Sequence, residues 1–137
     1  MEETPLRIMG LSGSYGKSSK NGMLVDLALK KAAELGADVV YWDLTEEPLP
    51  LVGAEGCWSD PITKKFQEEA SNCDGFLVSS PEYHGTMSGV MKNTFDDPLV
   101  TSRSYFTESS YGEIGEFMGQ QTPSTVYWIG GKNLSRS

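Results

Sequence analysis

Two short stretches carry the residue types a ligand site needs: Ser12-Gly13-Ser14-Tyr15-Gly16-Lys17-Ser18-Ser19-Lys20-Asn21 and Ser80-Pro81-Glu82-Tyr83-His84-Gly85-Thr86-Met87-Ser88-Gly89. The first places hydroxyls, glycines and amides just ahead of a helical pattern. A helix N-terminus has unpaired N–H groups and the positive end of the helix dipole, so it accepts a phosphate without strong cationic charge. The hydroxyls of Ser14 and Ser19 and the amide of Asn21 add donors. The spacing is not GxxxxGK[ST], since no glycine stands at the required distance before Gly16-Lys17-Ser18. Nor is it GxGxxG, since Gly10, Gly13 and Gly16 are each three apart. The competing reading is a plain Ser/Gly turn in which Ser19 or Asn21 caps the helix.

The second stretch suits a planar, polar ring. Pro81 restrains the backbone, Tyr83 offers a stacking face, Gly85 leaves room for close approach and Glu82 supplies a carboxylate. The competing reading makes Tyr83 an edge aromatic, His84 a surface imidazole and Glu82 a cap of the following turn. His84 is the only histidine and has no recognisable Ser or Cys partner in sequence, so a hydrolytic triad lacks support.

Both stretches need a scaffold that presents loops at one edge. Leu6–Ser12 reads as a short, largely apolar first strand, as a buried parallel strand does. From Asn21, Leu24, Leu27, Ala28, Ala32 and Leu35 recur at helical spacing, with Gly36 where a helix C-cap glycine stands. Asp38–Leu44 is a second strand. Asp60-Pro61 opens a second helix with an N-cap and a proline in its first turn, running to about Ala70. Phe76–Ser79 is the third strand and Gly89–Asp96 the third helix. The order β-α-β-α-β-α predicts a doubly wound parallel sheet, whose right-handed crossovers set the two loops side by side at the carboxyl edge, where open α/β sheets bind ligands. From Asp97 to Pro123 no 3.6 or 2.0 periodicity stands out, and Thr125–Gly131 reads as a fourth strand ending in a glycine turn.

Taken together, Gly13-Ser14-x-x-x-x-Ser19-x-Asn21 and Ser80-Pro81-Glu82-Tyr83-His84-Gly85, followed by Gly89-Val90-Met91-Lys92-Asn93, resemble the NADPH-dependent FMN reductases. The resemblance covers Leu6 to about Asp96. It implies a flavodoxin-like fold, a three-layer α/β arrangement with strand order 2-1-3-4-5. It also implies FMN as cofactor, NADPH or NADH as reductant, and a quinone or similar small molecule as electron acceptor. By the same resemblance Ser14, Ser19 and Asn21 hold the FMN phosphate, while Pro81, Glu82, Tyr83, His84 and Gly85 line the isoalloxazine ring, largely through main-chain groups. An arginine often occupies the place of Gly16 in that family; here Lys17 and Lys20 are the nearby cations. The tail from Asp97 departs from the family course and implies a truncated or rearranged C-terminal segment. Related enzymes imply a homodimer or homotetramer. No side-chain acid or base is required, so no catalytic residue is named. The alternatives are a flavodoxin-like electron carrier without nicotinamide-dependent activity and an inactive truncated remnant.

Bulk properties narrow the partners. The 137 residues suffice for a single domain with a sizeable core, and 38% hydrophobic against 22% charged residues argues against global disorder. A net charge of −8 argues against nucleic acid or an anionic membrane surface. Cys57 and Cys73 are too few for a disulfide framework and form no CxxC pair, so no metal is expected. The acidic start Met1-Glu2-Glu3-Thr4-Pro5 shows no signal peptide and no span, which makes cytoplasmic the expected location.

Overall fold

A computed structural model describes residues 4–16, 18–97, 111–118 and 123–130. Lys17 and the tail stretches 98–110 and 119–122 lie outside the described residues, as does Gly131. The elements run β1 (Arg7–Ser12), α1 (Lys20–Glu34), β2 (Asp38–Trp42), α2 (Pro61–Ser71), β3 (Gly75–Tyr83), β4 (Thr86–Met87), α3 (Gly89–Phe95), β5 (Tyr111–Met118) and β6 (Pro123–Gly130).

Helix boundaries follow local chemistry. Ser19 caps α1 by accepting from the Gly22 amide, Asp60 caps α2 by accepting from Ile62, and Ser88 caps α3 by accepting from Met91. Pro61 occupies the first turn of α2, where its missing N–H leaves no bond unmade. Gly36, with φ +98°, turns the chain out of α1 into β2.

Strands β2, β1 and β3 pair in parallel in that order, with Ile8 opposite both Val39 and Gly75. Alternation along β1 and β3 sorts the core into two layers. Met9, Leu11, Phe76 and Val78 join Phe66 and Ala70 of α2 and Met91 of α3 on one face, while Ile8 and Leu77 join Val25 and Leu29 of α1 on the other. Through β3 this is the layered arrangement the β-α-β-α-β-α order predicts and the flavodoxin-like one the family resemblance implies. Gly10 lets α1 lie close to β1: a Cβ there would stand 2.5 Å from Leu29 and Val25.

The fourth position of the sheet differs from the expected course. The fourth strand is real and spans Pro123–Gly130, but it runs antiparallel to β3, with Gly75 opposite Gly130 and Pro81 opposite Ser124. Beyond it lies β5, also antiparallel, within a stretch where no periodicity was expected. The pairing shifts register between Glu113 and Gly115, leaving Ile114 without an opposite residue. Such a bulge inverts the in/out phase halfway along the strand and erases the alternation that would announce it.

Candidate functional site

Strand β1 ends at Ser12, opposite Ser79, while β3 continues to Tyr83, so the loop after β1 lies against the residues of β3 that lead into the second loop at the carboxyl edge. Hydrogen bonds join these loops directly. The Gly13 amide donates to the Ser79 carbonyl at 2.7 Å, and the Ser88 hydroxyl donates to the Gly13 carbonyl at 2.8 Å. The Ser88 amide in turn donates to Ser80 Oγ at 2.9 Å. Gly13 has no room for a side chain, since a Cβ would meet Ser80 Oγ at 2.6 Å and Ser88 Oγ at 2.7 Å. Ser88 was not among the expected site residues. Its type and place before Gly89 mark it as a helix cap, but its long-range bond to Gly13 has no local signature.

In the first loop the three expected residues have different jobs. Ser19 Oγ accepts from the Gly22 amide at 3.0 Å and donates to the Gly16 carbonyl at 2.9 Å, so its hydroxyl serves the helix cap. Asn21 is buried; its Nδ2 donates to Ser14 Oγ at 3.0 Å and its Oδ1 accepts from Ser79 Oγ at 2.6 Å. Ser14 is half-buried, and its amide bonds Ser12 Oγ. The amides of Lys20 and Asn21 belong to the first turn of α1, where no intrahelical acceptor exists. Gly16 sits at φ +83°, a left-handed conformation that glycine adopts without strain, and its amide donates to Thr45 Oγ1 at 2.6 Å. Tyr41 stands behind Ser12. Burial raises the tyrosine pKa and the charge of Asp43 adds to this, while a hydrogen bond with Ser12 opposes it.

The second loop is a β-hairpin. Glu82 pairs with Met87 and Tyr83 with Thr86, leaving His84 and Gly85 as a two-residue turn. Both have positive φ, +54° and +73°, the signature of a type I′ turn. His84 is the sole described residue other than glycine with positive φ. Pro81 is buried, Glu82 half-buried, and Tyr83 and His84 are exposed at the tip. A Cβ on Gly85 would meet nothing within 4 Å, so the space above the turn is open. The structure therefore brings the phosphate-type loop against the base of the hairpin and leaves the ring-type residues facing outward.

Beside this edge lies a groove of about 250 Å³ lined by Tyr15, Leu44, Leu49, Leu51, Val90 and Asn93, among others. None of the eight expected residues lines it. Asn93 shapes its wall by accepting from the Val52 amide at 2.9 Å and donating to the Pro50 carbonyl at 3.0 Å. Among the described residues there is no cluster of three or more metal-ligating side chains, and no helix is long and apolar enough to cross a membrane.

The donor set fits a flavin mononucleotide: open first-turn amides and a serine hydroxyl for the phosphate, then a glycine turn with free space for a ring. Comparisons with known proteins point the same way. The family model for NADPH-dependent FMN reductases matches residues 6–106. An NAD(P)H:quinone oxidoreductase of Solanum tuberosum is 31% identical over 97 residues, covering 66% of this chain and 48% of that protein. An FMN reductase (NADPH) of Escherichia coli K12 is 30% identical over 92 residues, covering 66% and 47%. An NADPH:quinone oxidoreductase of Arabidopsis thaliana is 32% identical over 97 residues, covering 66% and 48%. The chain spans about half the length of the curated relatives it matches.

Proposed function

The chain belongs to the NADPH-dependent FMN reductase family, and on that premise we propose that it is an FMN-dependent oxidoreductase carrying electrons from NAD(P)H to a quinone or similar small acceptor. One observation carries the reading: the two loops are fastened to each other by the Gly13–Ser79 and Ser88–Gly13 bonds, so a phosphate donor set and a ring-facing hairpin share one edge of the sheet. Bound FMN supplies the hydride-accepting chemistry. The chain's own residues bind and orient. First-turn amides of α1 and the Ser14 hydroxyl take the phosphate, while Pro81, Glu82, Tyr83, His84 and Gly85 set the plane and edge contacts of the ring. Ser19 and Asn21 contribute by fixing the loop, with the Asn21 main-chain amide facing the anion.

The same proposal treats residues 1–137 as a single flavin-binding domain, cytoplasmic, and assembled as a homodimer or homotetramer. The relatives named as quinone oxidoreductases support the acceptor class. The test is a titration of the purified chain with FMN followed by NADPH or NADH and a soluble quinone. Flavin absorbance that co-purifies or saturates, together with quinone-dependent NAD(P)H oxidation, is expected; a chain that binds no FMN overturns the reading. The rival reading is an electron carrier without nicotinamide-dependent activity. FMN that binds and is reduced by dithionite but by neither NADPH nor NADH selects that rival.

A further inference from the structure

The hydrogen bonds behind the first loop run in one direction. Fully buried Ser79 donates its hydroxyl proton to Asn21 Oδ1 at 2.6 Å, and Asn21 Nδ2 donates to Ser14 Oγ at 3.0 Å. A serine hydroxyl has one proton to give and two lone pairs to receive. Ser14 receives from Asn21, so its proton stays available to an acceptor outside the network. Each bond in such a chain polarises the next, and the low dielectric around Ser79 and Asn21 strengthens the effect. Asn21 is only 4% exposed, and its two side-chain polar atoms are turned to Ser14 and Ser79 rather than outward.

We propose that Asn21 and Ser79 are positioning residues that aim the Ser14 proton at the phosphate of FMN, making this relay a determinant of selectivity for FMN over riboflavin. The inference rests on the FMN reading above and assigns a role to Ser79, a residue in the strand rather than in the loop. Riboflavin has the same ring without the phosphate, so the relay contributes nothing to its binding.

The experiment measures dissociation constants for FMN and riboflavin, by quenching of flavin fluorescence, for the unaltered chain, Ser14→Ala, Ser79→Ala and the double variant. Ser14→Ala is expected to weaken FMN about tenfold, the worth of a hydrogen bond to a charged group, Ser79→Ala to weaken it by a smaller factor of about threefold, and both to leave riboflavin unchanged. In the Ser14→Ala background Ser79→Ala is expected to have no further effect on FMN, because Ser79 acts through Ser14. Equal loss of both flavins marks a merely structural role and overturns the inference. So does a full additional loss in the double variant, or Ser14→Ala that leaves FMN unweakened, the sign of a relay running the other way. An unaltered chain that binds riboflavin as tightly as FMN overturns the relay and leaves the functional reading standing, whereas one that binds neither flavin overturns both.

Discussion

At the scale of single residues, burial decides what a group can do. Cys73 is 2% exposed, and burial pushes its thiol up to about 11 from an ordinary 9.0; Arg7 opposes this, while the charges of Glu69 and Asp74 add to it. The thiolate is the reactive form, so Cys73 is a packing residue rather than a nucleophile. Native protein at pH 8 should leave Cys73 unlabelled by iodoacetamide and expose it only on unfolding; rapid labelling of Cys73 in the folded state would contradict this. The linkage has a definite sign. Below pH 9 the thiol is protonated in both states and the stabilisation is complete. Between pH 9 and about 11 the unfolded chain loses its proton first, and stability should fall by on the order of 2 kcal/mol, readable in urea midpoints and absent in Cys73→Ala. Much at this scale was legible from residue type: Asp60 and Ser19 sit where caps must, and Gly36 where a helix must end. The partners of Gly13 were not legible. That glycine is required by Ser80 and Ser88, residues about 70 positions away that only the β1–β3 register brings near.

At the scale of elements, the hairpin from Tyr83 to Thr86 shows what the second loop demands. His84-Gly85 lacks the Asn-Gly or Asp-Gly pair that announces a type I′ turn, so the sequence pattern suggested a loop, not a hairpin. The left-handed backbone at position 84, rather than the imidazole, is then the constraint. His84→Asn, which tolerates that conformation, should change stability by under about 0.5 kcal/mol and keep flavin binding, whereas β-branched His84→Val should cost about 1–2 kcal/mol and weaken it. Urea unfolding and FMN titration read both, and equal loss in the two variants would assign the role to the imidazole instead. Asn93 does comparable work for the loop after β2. Asn93→Ala removes its bonds to Val52 and Pro50, should cost about 2 kcal/mol, and should admit limited proteolysis between Thr45 and Ser59. An unchanged cleavage pattern would mean that loop is held by its apolar contacts alone.

At the scale of the whole molecule, charge and site pull in opposite directions. A chain of net charge −8 repels a phosphate-bearing flavin, yet the loop expected to receive it offers amides and hydroxyls, with Lys20 as the described cation nearest in sequence. Neutral donors at a helix end attract at short range, while the summed field of the protein acts over a Debye length, about 10 Å at 0.1 M salt. Added salt therefore screens the repulsion more than it weakens the attraction. The association rate for FMN should rise between about 10 and 150 mM salt, and affinity should hold steady or improve; riboflavin, without the phosphate, should show almost no salt dependence. A steep loss of FMN affinity over the same range would require a cationic phosphate site and would direct attention to Lys20. The parallel β2-β1-β3 core makes this a property of one sheet edge, because both loops lie at its carboxyl end. The antiparallel β6 and β5 continue the sheet beyond β3, and Ser124 stands opposite Pro81 at that same edge. Strand direction at this fourth position was not readable, since it depends on where the chain between α3 and β6 crosses the sheet rather than on the residues of Pro123–Gly130 themselves. A strand that pairs along β3 from Gly75 to Pro81 fixes the far side of the hairpin's base, so Thr125→Pro, which removes the N–H of the residue opposite Ser80, tests whether that pairing helps hold the residues of the second loop in place. If it does, flavin affinity falls in Thr125→Pro while the thermal transition of the β2-β1-β3 core changes little; unchanged affinity would confine the site to the two loops.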